Sequence, residues 1–483
     1  MVGRRQLLKT VPAMLLGGST LTGHLGAGSA WGQEGSPEPL TSTLARGVHA
    51  SWTGDLNTTR TLSWFTYGSE DPGTVLEYGP VSADMDTLAV RSAPFPNRVA
   101  GIASPVYGIN VLCHRATATG LDPNVAIRYR VGSDAFGWSV PRVLPPAPSA
   151  QRFRFCHYGD NGVTENSQAV VNAVADSSPD FVMIAGDLAY ANGNQPIWDN
   201  YFNMLEPMAS QMPVMMCPGN PEFNDGYGAG YSSRVAMPGS NNLYYSFRCG
   251  PVHFCVSTGG SLVNDENLPS IPAYLEELQW IRRDLAEAAE ARAAGEIDFI
   301  VFMQHFSLWT SSENRAPGNF SAIVLEEHLL HRYGVDLVLV GHDHIYQRSK
   351  PMAYGLPVPT GGFVQVIQGG GGKSLYSLTP RHAPWSAYVE SCYGFTEYEV
   401  GDGLIKGTTY SVQDDQGELL PVGQTRQIDS FEVPTRDALS KSTIATLARL
   451  PSSFLDTFNY DEMIQHTIQR NRLHDLLEAH GAH

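Results

Sequence analysis

The chain has 483 residues and a formal net charge of −17 at pH 7, because 48 acidic side chains outnumber 31 lysines and arginines. Its apolar content of 42% and charged content of 16% are typical of folded globular proteins, and its length predicts more than one domain. The negative charge disfavours nucleic acid and anionic lipid as partners, so an anionic substrate would need a local positive centre such as a bound metal.

Residues 1–30 have the composition of an export signal. Arg4 and Arg5 precede the apolar run Val11–Leu16, and small residues follow as far as Ala30. Paired arginines ahead of a modest apolar region are typical of twin-arginine signals, which direct the export of folded proteins. Because the apolar run is too short to span a bilayer, we favour an exported protein, periplasmic or secreted, over one with a short membrane anchor.

Residues 45–145 are predicted to form a β-sandwich. Short strands with alternating apolar and polar residues recur at Thr61–Thr66, Thr74–Gly79 and Ile127–Gly132, with turn residues between them. The segment has no set of side chains with metal-ligand spacing, so we expect a structural or docking module. A proline-rich linker at 145–148 ends it.

Residues 150–420 are predicted to form an α/β domain in which β-sheets are flanked by helices. Apolar runs that suit strands buried on both faces alternate with amphipathic segments, of which 168–175 and 274–294 are predicted helices. The predicted strands are Phe153–His157, Phe181–Ala185, Pro213–Cys217, Phe299–Met303 and Leu337–Val340. Each of them is followed within a few residues by a side chain that can bind a metal. Open α/β sheets bind their ligands at the carboxyl ends of strands, so we expect a site there.

Residues 430–483 are predicted to be a helical C-terminal extension. Apolar residues recur at helical spacing over 438–450 and 460–479, without a set of potential ligands. We expect these helices to pack on the core or on another copy of the chain, which would make the protein a homo-oligomer.

The six cysteines form no CxxC pair. Cys156 and Cys217 lie within predicted strands, which indicates buried, unreactive thiols. Cys249 and Cys255 flank a Gly-Pro turn, but a two-residue hairpin there would pair Cys249 with Val252. A disulfide between the two cysteines would therefore need a different turn.

Five short blocks at the strand ends carry the chemistry. They are Gly159-Asp160-Asn161-Gly162, Gly186-Asp187-Leu188-Ala189-Tyr190, Gly219-Asn220-Pro221-Glu222, Met303-Gln304-His305 and Gly341-His342-Asp343-His344. The candidate metal ligands are Asp160, Asp187, Tyr190, Asn220, His305, His342 and His344. Hard oxygen donors combined with imidazole suit a pair of iron, zinc or manganese ions. A single aspartate after a strand is usually a helix cap, so the prediction rests on the ordered set rather than on any one block.

This ordered set resembles that of the purple acid phosphatases within the calcineurin-like metallophosphoesterases. The shared order is DxG, GDxxY, GN, a histidine after a buried strand, and GHxH. Further segments similar to family sequence are Trp198-Asp199, Tyr244–Phe247, Leu278–Trp280, and Tyr346 with Arg348. The resemblance extends over roughly residues 45–420 and implies that the leading sandwich is fibronectin-like. It also implies an enzyme that hydrolyses phosphate esters of small molecules by in-line attack of a hydroxide held by two metals.

The resemblance further implies the role of each ligand. The ferric ion would be held by Asp160, Asp187, Tyr190 and His344. A second ion, which in the family is zinc, manganese or Fe(II), would be held by Asn220, His305 and His342, with Asp187 bridging the pair. A phenolate is a hard donor matched to Fe(III), so charge transfer from Tyr190 to iron would colour the protein.

The third and fourth blocks depart from the family pattern. Family members usually have a histidine after Gly-Asn, where it contacts the substrate phosphate and can protonate the leaving group, but this chain has Pro221. Proline has no side-chain donor and no backbone N–H, so it cannot take that role. Plant-type relatives have a further histidine after the fourth block, and residues 306–320 contain none. General acid catalysis is worth about 10²–10⁴-fold, so we expect slow turnover or a restriction to good leaving groups.

The predicted catalytic residues are Asp187, Asn220 and Glu222. Candidates to replace the missing acid are Glu222, Asp225, His157 and His253. Each of these also has a structural interpretation, and Glu222 in particular could simply hold its turn.

One further motif is set aside. Gly369–Ser374 resembles a phosphate-binding loop, but GxxxxGK[ST] would require a glycine at Ile367. We expect instead a loop near the metals, where the backbone must pass closely. A GxSxG nucleophile motif is also absent from the sequence.

Three functions remain open from the sequence. The first is an exported dinuclear metallophosphatase. The second is an enzyme with the same metals acting on another bond, such as a phosphodiester, a sulfate ester or a biosynthetic intermediate, which Pro221 would explain. The third is a metal-bound binding protein without turnover, although the complete ligand set is unfavourable to simple decay.

Overall fold

The structure, a computed structural model, describes residues 44–435 except for 83, 240, 260–269, 316–317, 319–325, 354–355, 360 and 381–382. The predicted export signal and the predicted C-terminal helices lie outside the described residues. Within the described part of the chain, no helix is both long enough and apolar enough to cross a membrane.

The N-terminal domain is a sandwich of two antiparallel sheets, as the alternating pattern predicts. Its elements are β1 (Arg46–Ser51), β2 (Arg60–Tyr67), β3 (Val75–Pro80), α1 (Thr87–Ser92), β4 (Asn97–Ala100), β5 (Ile102–Pro105), β6 (Val111–Ala118), β7 (Ile127–Ser133), β8 (Gly137–Trp138) and β9 (Arg142–Leu144). One sheet has the order β1-β2-β6-β5 and the other β4-β3-β7-β8, with β9 paired to β7. Leu62 and Trp64 of the first sheet pack with Leu76 and Tyr129 of the second, and all are fully buried.

The second domain consists of two large sheets and their flanking helices. Its strands are β10 (Phe153–Tyr158), β11 (Phe181–Ala185), β12 (Val214–Cys217), β13 (Tyr245–Cys249), β14 (Val252–Val256), β15 (Phe299–Met303), β16 (Leu337–Val340), β17 (Tyr346–Ser349), β18 (Met352–Ala353), β19 (Leu356–Pro357), β20 (Val364–Gln368), β21 (Ser386–Glu390), β22 (Gly394–Gly401), β23 (Leu404–Ser411) and β24 (Arg426–Pro434). Its helices are α2 (Glu165–Ser177), α3 (Pro196–Ala209), α4 (Asn220–Phe223), α5 (Ala229–Ser232), α6 (Ser270–Ala293) and α7 (His328–Arg332).

The two large sheets pack on each other through an aromatic core. One sheet has the order β12-β11-β10-β22-β23-β24 and the other β13-β14-β15-β16-β20-β17-β21. The ring of Phe155 stacks on that of Phe181 at a centroid distance of 5.3 Å and meets Phe254 of the other sheet edge-on, also at 5.3 Å. All three rings are fully buried. The apolar residues of the predicted strands therefore join the two sheets.

Helix α6 covers the outer face of the second sheet. Ile281, Leu285 and Ala288 are fully buried at three- and four-residue spacing, and they belong to one apolar cluster with Ile300 and Val338 of the sheet. The amphipathic pattern that predicts this helix is thus explained by its packing.

The five predicted strands are confirmed as β10, β11, β12, β15 and β16. In the first sheet β10, β11 and β12 are parallel neighbours, with Tyr158 opposite Ile184 and Ala185 opposite Cys217. In the second sheet β15 and β16 are parallel, with Met303 opposite Leu339. Because parallel strands in register end at the same edge of a sheet, the blocks that follow them are brought together.

Strand β24 was not predicted from the sequence. It pairs with β23 as the edge of the first sheet, so this sheet continues beyond the predicted domain end at 420. The strand also crosses the predicted start of the helical extension at 430. Only Phe431 and Val433 are buried among its nine residues. An edge strand with so few apolar residues gives a weak sequence signal.

The cysteines follow the sequence prediction. The β13–β14 hairpin pairs Cys249 with Val252, and all six cysteines are buried and form no disulfide in the described part of the chain. The fold of the described residues is thus held without disulfides.

The N-terminal sandwich packs on the second domain beside β12. The Tyr129 hydroxyl donates to the Ser210 carbonyl at 2.7 Å, and the Ser51 hydroxyl donates to the Ala236 carbonyl at 2.6 Å. Ala50 forms a parallel bridge with Pro213, which directly precedes β12. The sandwich therefore contacts the segment that leads to the third block, in agreement with a structural module.

His157 is buried in the core between the two large sheets. Its side chain is 0% exposed, and neither ring nitrogen has a hydrogen-bond partner among the described residues. Burial lowers the pKa of His157 to about 3. The folded protein therefore keeps this imidazole neutral. Because it is buried and carries no extra proton near neutral pH, His157 cannot serve as the general acid.

We expect His157 to make the protein less stable in acid. The unfolded chain binds a proton on His157 below its ordinary pKa of 6.5, whereas the folded chain does so only near 3, so stability falls as the pH drops through this window. Between pH 7.5 and pH 5, protonation of His157 in the unfolded state should lower the free energy of unfolding of wild type by about 2 kcal/mol. His157→Leu should lack this contribution, so its free energy of unfolding should fall by that much less. Urea unfolding at the two pH values tests this. An equal effect of the substitution at both pH values would contradict it.

Candidate metal centre

The predicted ligands lie in strained turns at the strand ends. Asp160, Asp187, Tyr190 and His342 all have positive φ, at 59°, 52°, 53° and 68°. Such conformations cost on the order of 1–3 kcal/mol for residues other than glycine and persist where the surroundings impose them. In the described part of the chain, four of the nine non-glycine residues with positive φ are predicted ligands, in agreement with the clustering of such strain at functional sites.

Glycines in the blocks allow the backbone to approach the ligand side chains. A Cβ atom on Gly219 would lie 2.0 Å from Asp187 Oδ1, and one on Gly341 would lie 2.5 Å from Asp160 Oδ2. A Cβ atom on Gly186 would lie 2.7 Å from His305 Nδ1. Any larger residue would clash at these three positions, which explains why glycine precedes the ligand in the GD, GN and GH pairs.

Four of the predicted ligands form one cluster. The Tyr190 hydroxyl lies 3.2 Å from Asp160 Oδ1 and 3.0 Å from His344 Nε2. Ligand atoms of Asp160, Asp187 and His344 all lie within 4.8 Å of one another, and the three residues are buried. The arrangement can hold one cation.

The other predicted ligands form a second cluster around His305. Its Nε2 lies 3.0 Å from Asp187 Oδ1, 3.2 Å from Asn220 Oδ1 and 3.2 Å from His342 Nδ1. Asp187 thus belongs to both clusters. The structure brings all seven predicted ligands together.

Backbone carbonyls orient two of the histidines. His305 Nδ1 lies 2.8 Å from the Ala185 carbonyl oxygen, and His344 Nδ1 lies 2.6 Å from that of Ser374. A ring N–H donated to a carbonyl fixes the tautomer and leaves Nε2 bare, which is the usual arrangement of metal-binding histidines. Both Nε2 atoms face the carboxylates described above.

The cluster attracts positive charge. Burial alone would lower the pKa of His305, but the carboxylates of Asp187 and Asp160 raise it to about 9. Buried oxygen and nitrogen atoms that face one another at 3.0–3.2 Å need a proton or a cation between them. The donor set and its electrostatics therefore fit bound metal ions.

Glu222 joins two of the turns. Its Oε2 accepts the N–H of Asp187 at 3.0 Å and that of Gly219 at 2.7 Å, while its Oε1 accepts the N–H of Leu188 at 3.0 Å. Burial and the Asp187 carboxylate raise the pKa of Glu222 to about 8, and the amides of Gly219 and Leu188 act in the opposite direction. Glu222 contacts the ligand-bearing backbone, so its geometry is that of a positioning residue.

The other acid candidates are engaged elsewhere. Asp225 accepts hydrogen bonds from the side chains of Gln195 and Trp198. His253 Nε2 lies 2.7 Å from Asp284 Oδ2, and both are buried. These contacts explain both residues structurally.

Several neighbours of the ligands were not identified from the sequence. Tyr376 stacks on His344 with centroids 4.1 Å apart, and Phe306 meets His342 edge-on at 4.5 Å. Asp343 accepts a hydrogen bond from Ser307 and lies 3.8 Å from Arg315 Nε. Phe306 and Asp343 stand beside predicted ligands in the chain, but Tyr376 has no comparable signal.

The loop at 369–374 passes close to the ligands, as the sequence predicts. A Cβ atom on Gly369 would lie 2.9 Å from Asp160 Oδ2, and one on Gly371 would lie 2.1 Å from the Gly159 carbonyl oxygen. The run of glycines is therefore explained by close packing.

Two family models match the chain. A model described as calcineurin-like phosphoesterase matches residues 153–346, and a model described as the purple acid phosphatase N-terminal domain matches residues 45–143. The two matches correspond to the α/β domain and the leading sandwich.

Individual proteins are similar over most of the chain. Acid phosphatase type 7 of Mus musculus is 28% identical over 77% of this chain and 89% of its own length. The Homo sapiens protein of that name is 29% identical over 83% of this chain and 92% of its own length. A solved purple acid phosphatase from yellow lupin (Lupinus luteus) seeds has a TM-score of 0.64 at 20% identity, over 82% of this chain and 75% of that one. The last likeness shows the fold.

We expect Glu222→Ala to destabilise the protein, because it leaves three amides of the ligand turns without their acceptor. The loss should be about 3 kcal/mol or more in the free energy of unfolding. Glu222→Gln keeps one acceptor oxygen and should lose less. Glu418→Ala, at an exposed position, is the matched control for removing a carboxylate. Chemical unfolding of all three variants checks this, and a Glu222→Ala protein as stable as Glu418→Ala would rule out the positioning role.

Proposed function

We propose that this member of the calcineurin-like phosphoesterases removes phosphate from small phosphorylated molecules at a dinuclear metal centre. The chain also carries the N-terminal domain of purple acid phosphatases, and its family makes it a phosphoester hydrolase. The proposed ligands are Asp160, Asp187, Tyr190, Asn220, His305, His342 and His344. The observation that carries the proposal is the pair of ligand clusters that share Asp187.

The donor chemistry supports different metals in the two clusters. The phenol of Tyr190 beside a carboxylate favours Fe(III), which would be held by Asp160, Tyr190 and His344 with Asp187 as the bridge. Asn220, His305 and His342 offer one amide oxygen and two imidazoles, a set suited to a divalent ion, namely zinc, manganese or Fe(II). When bound, two such ions lower the pKa of a water and neutralise the charge of the phosphoryl oxygens.

The residues of the chain supply orientation. The Ala185 and Ser374 carbonyls fix the rings of His305 and His344. Glu222 holds the two turns that carry Asp187 and Asn220, and it acts through the backbone. Such positioning sets the geometry in which the phosphate is held.

The chain has no side-chain proton donor at position 221 of the third block. Pro221 lies in the first turn of α4, directly after Asn220, and it is buried. Phosphate esters whose leaving groups need protonation should therefore react slowly. The same observation favours a second candidate function, in which the metals act on another bond such as a diester or a sulfate ester. A binding protein without turnover is the third candidate, and no feature of the site favours it over the first two.

The proposal extends to the segments outside the described residues. We place residues 1–30 as a twin-arginine signal and the mature protein in the periplasm or the medium. The fibronectin-like domain would span 45–145, and the metallophosphoesterase domain, predicted over 150–420, would extend through β24 to Pro434. The predicted helices at 438–450 and 460–479 would join copies of the chain.

We expect the purified exported protein to contain iron and to have a visible absorption band from Tyr190. Tyr190→Phe should abolish the band, because it removes the oxygen that donates charge to iron. Metal analysis, the visible spectrum, and assays with aryl phosphate, diester and sulfate substrates across pH are the measurements. Absence of iron, or a band that persists in Tyr190→Phe, would exclude the ferric assignment, and hydrolysis of diesters or sulfates in preference to phosphates would favour the second function.

We expect Pro221→His to increase activity on poor leaving groups more than on nitrophenyl phosphate. A donor at this position, next to Asn220, can protonate an alkoxide, and general acid help is worth about 10²–10⁴-fold when the leaving group needs it. Rates for an alkyl phosphate and for nitrophenyl phosphate give the comparison. Pro221→Ala, which removes proline without adding a donor, is the control. Equal gains on both substrates would argue against a missing acid.

A further inference from the structure

A lysine lies within the cluster that contains Tyr190. The backbone N–H of Lys373 donates to the Asp160 carbonyl at 3.0 Å. The carbonyl of the next residue, Ser374, lies 2.6 Å from Nδ1 of His344. The loop that carries Lys373 is thus tied to two of the predicted ligands by its own backbone.

The side chain of Lys373 extends over a third predicted ligand. Its Nζ lies 4.6 Å from the centroid of the Tyr190 ring. Gly162 lies beside both side chains, since a Cβ atom there would be 3.6 Å from the Tyr190 ring and 4.0 Å from Lys373 Cδ. The position of the ammonium is therefore set by the loop, by the ring and by the first block.

The ammonium is available to a ligand. Lys373 is half-buried, and within the described part of the chain its Nζ makes no hydrogen bond or ion pair. The neighbouring cation Arg315 is already engaged, because its Nε lies 3.8 Å from Asp343 Oδ1 and one of its Nη atoms lies 3.2 Å from the Tyr376 hydroxyl. Lys373 thus differs from Arg315 in having no partner of opposite charge among the residues that the structure describes.

We propose that Lys373 binds a non-bridging oxygen of the substrate phosphate and favours dianionic phosphate monoesters over singly charged diesters. The inference rests on the proposed function, because it places the phosphate at the cluster of Asp160, Tyr190 and His344. A lysine is a compact charge on a flexible stem, so it can reach an anion beside its ring contact. It also adds positive charge at a site where Pro221 contributes no donor.

The test measures binding of inorganic phosphate to the metal-loaded full-length protein by calorimetry. Lys373→Met should weaken phosphate binding by about 10-fold, the loss expected for one charge-assisted hydrogen bond at a half-exposed position. Lys373→Arg, which keeps the charge, should stay within about 3-fold of wild type. Lys406→Met removes the same charge from an exposed position at the opposite end of the sheet, on β23, and should leave the affinity unchanged.

Substrate preference and the visible spectrum provide two further readouts. In Lys373→Met the ratio of kcat/KM for an aryl monoester to that for the matching methyl diester should fall by about 3-fold or more, because the extra charge of the dianion gains most from the ammonium. Wavelength and intensity of the Tyr190 band should change little in the absence of phosphate.

The outcomes separate this inference from the proposed function. Monoester hydrolysis by wild type, together with equal phosphate affinity in Lys373→Met, would overturn the role of Lys373 alone. A Lys373→Met protein with a shifted Tyr190 band and unchanged phosphate affinity would also overturn it, by showing that the lysine acts on the phenol. A wild-type protein that binds metals but neither binds phosphate nor hydrolyses its esters would overturn both.

Discussion

The close approach of backbone to side chains at the strand ends is the constraint on which the site depends. Only hydrogen fits on the inner side of Gly186, Gly219 and Gly341, since a Cβ atom would lie between 2.0 and 2.7 Å from the side chain of a predicted ligand. The same turns hold Asp187, after Gly186, and His342, after Gly341, at positive φ. Packing must impose these conformations, and the buried rings between the two large sheets supply it. The rigidity of the core and the geometry of the site are therefore one property of the fold.

Backbone amides and carbonyls fix the charged residues at this edge of the sheets. Glu222 brings a third buried carboxylate next to Asp187 and Asp160, yet its oxygens are turned toward amides and away from the ligand atoms. Lys373 lies on the other side of the cluster, fixed through the Asp160 carbonyl. The anionic ligands, the positioning residue Glu222 and the cation Lys373 are thus held by contacts that are largely independent of each other.

The sequence predicts the interior of this fold better than its edges. β11 and β15 are continuous apolar runs, so the sequence predicts that they are buried. β24 has buried side chains only at Phe431 and Val433, so its sequence has no comparable pattern. The ligand set follows from strand ends because parallel strands stop at one edge. The contacts of Lys373 and Tyr376 could not be predicted, since they depend on where the loop after β20 passes in space. The role of Glu222 depends on which amides its carboxylate reaches, and spacing along the chain does not determine that.

The burial of the thiols and the absence of disulfides among the described residues have a consequence for how the protein can be handled. With all six cysteines inside the structure and none cross-linked, the native state owes none of its free energy to an oxidised bond. The chain can complete its folding in a reducing compartment, without an oxidase or a disulfide isomerase. Reductants should leave it intact, and oxidants should reach the sulfur atoms only when the protein opens, so their reactivity toward alkylating reagents reports local unfolding.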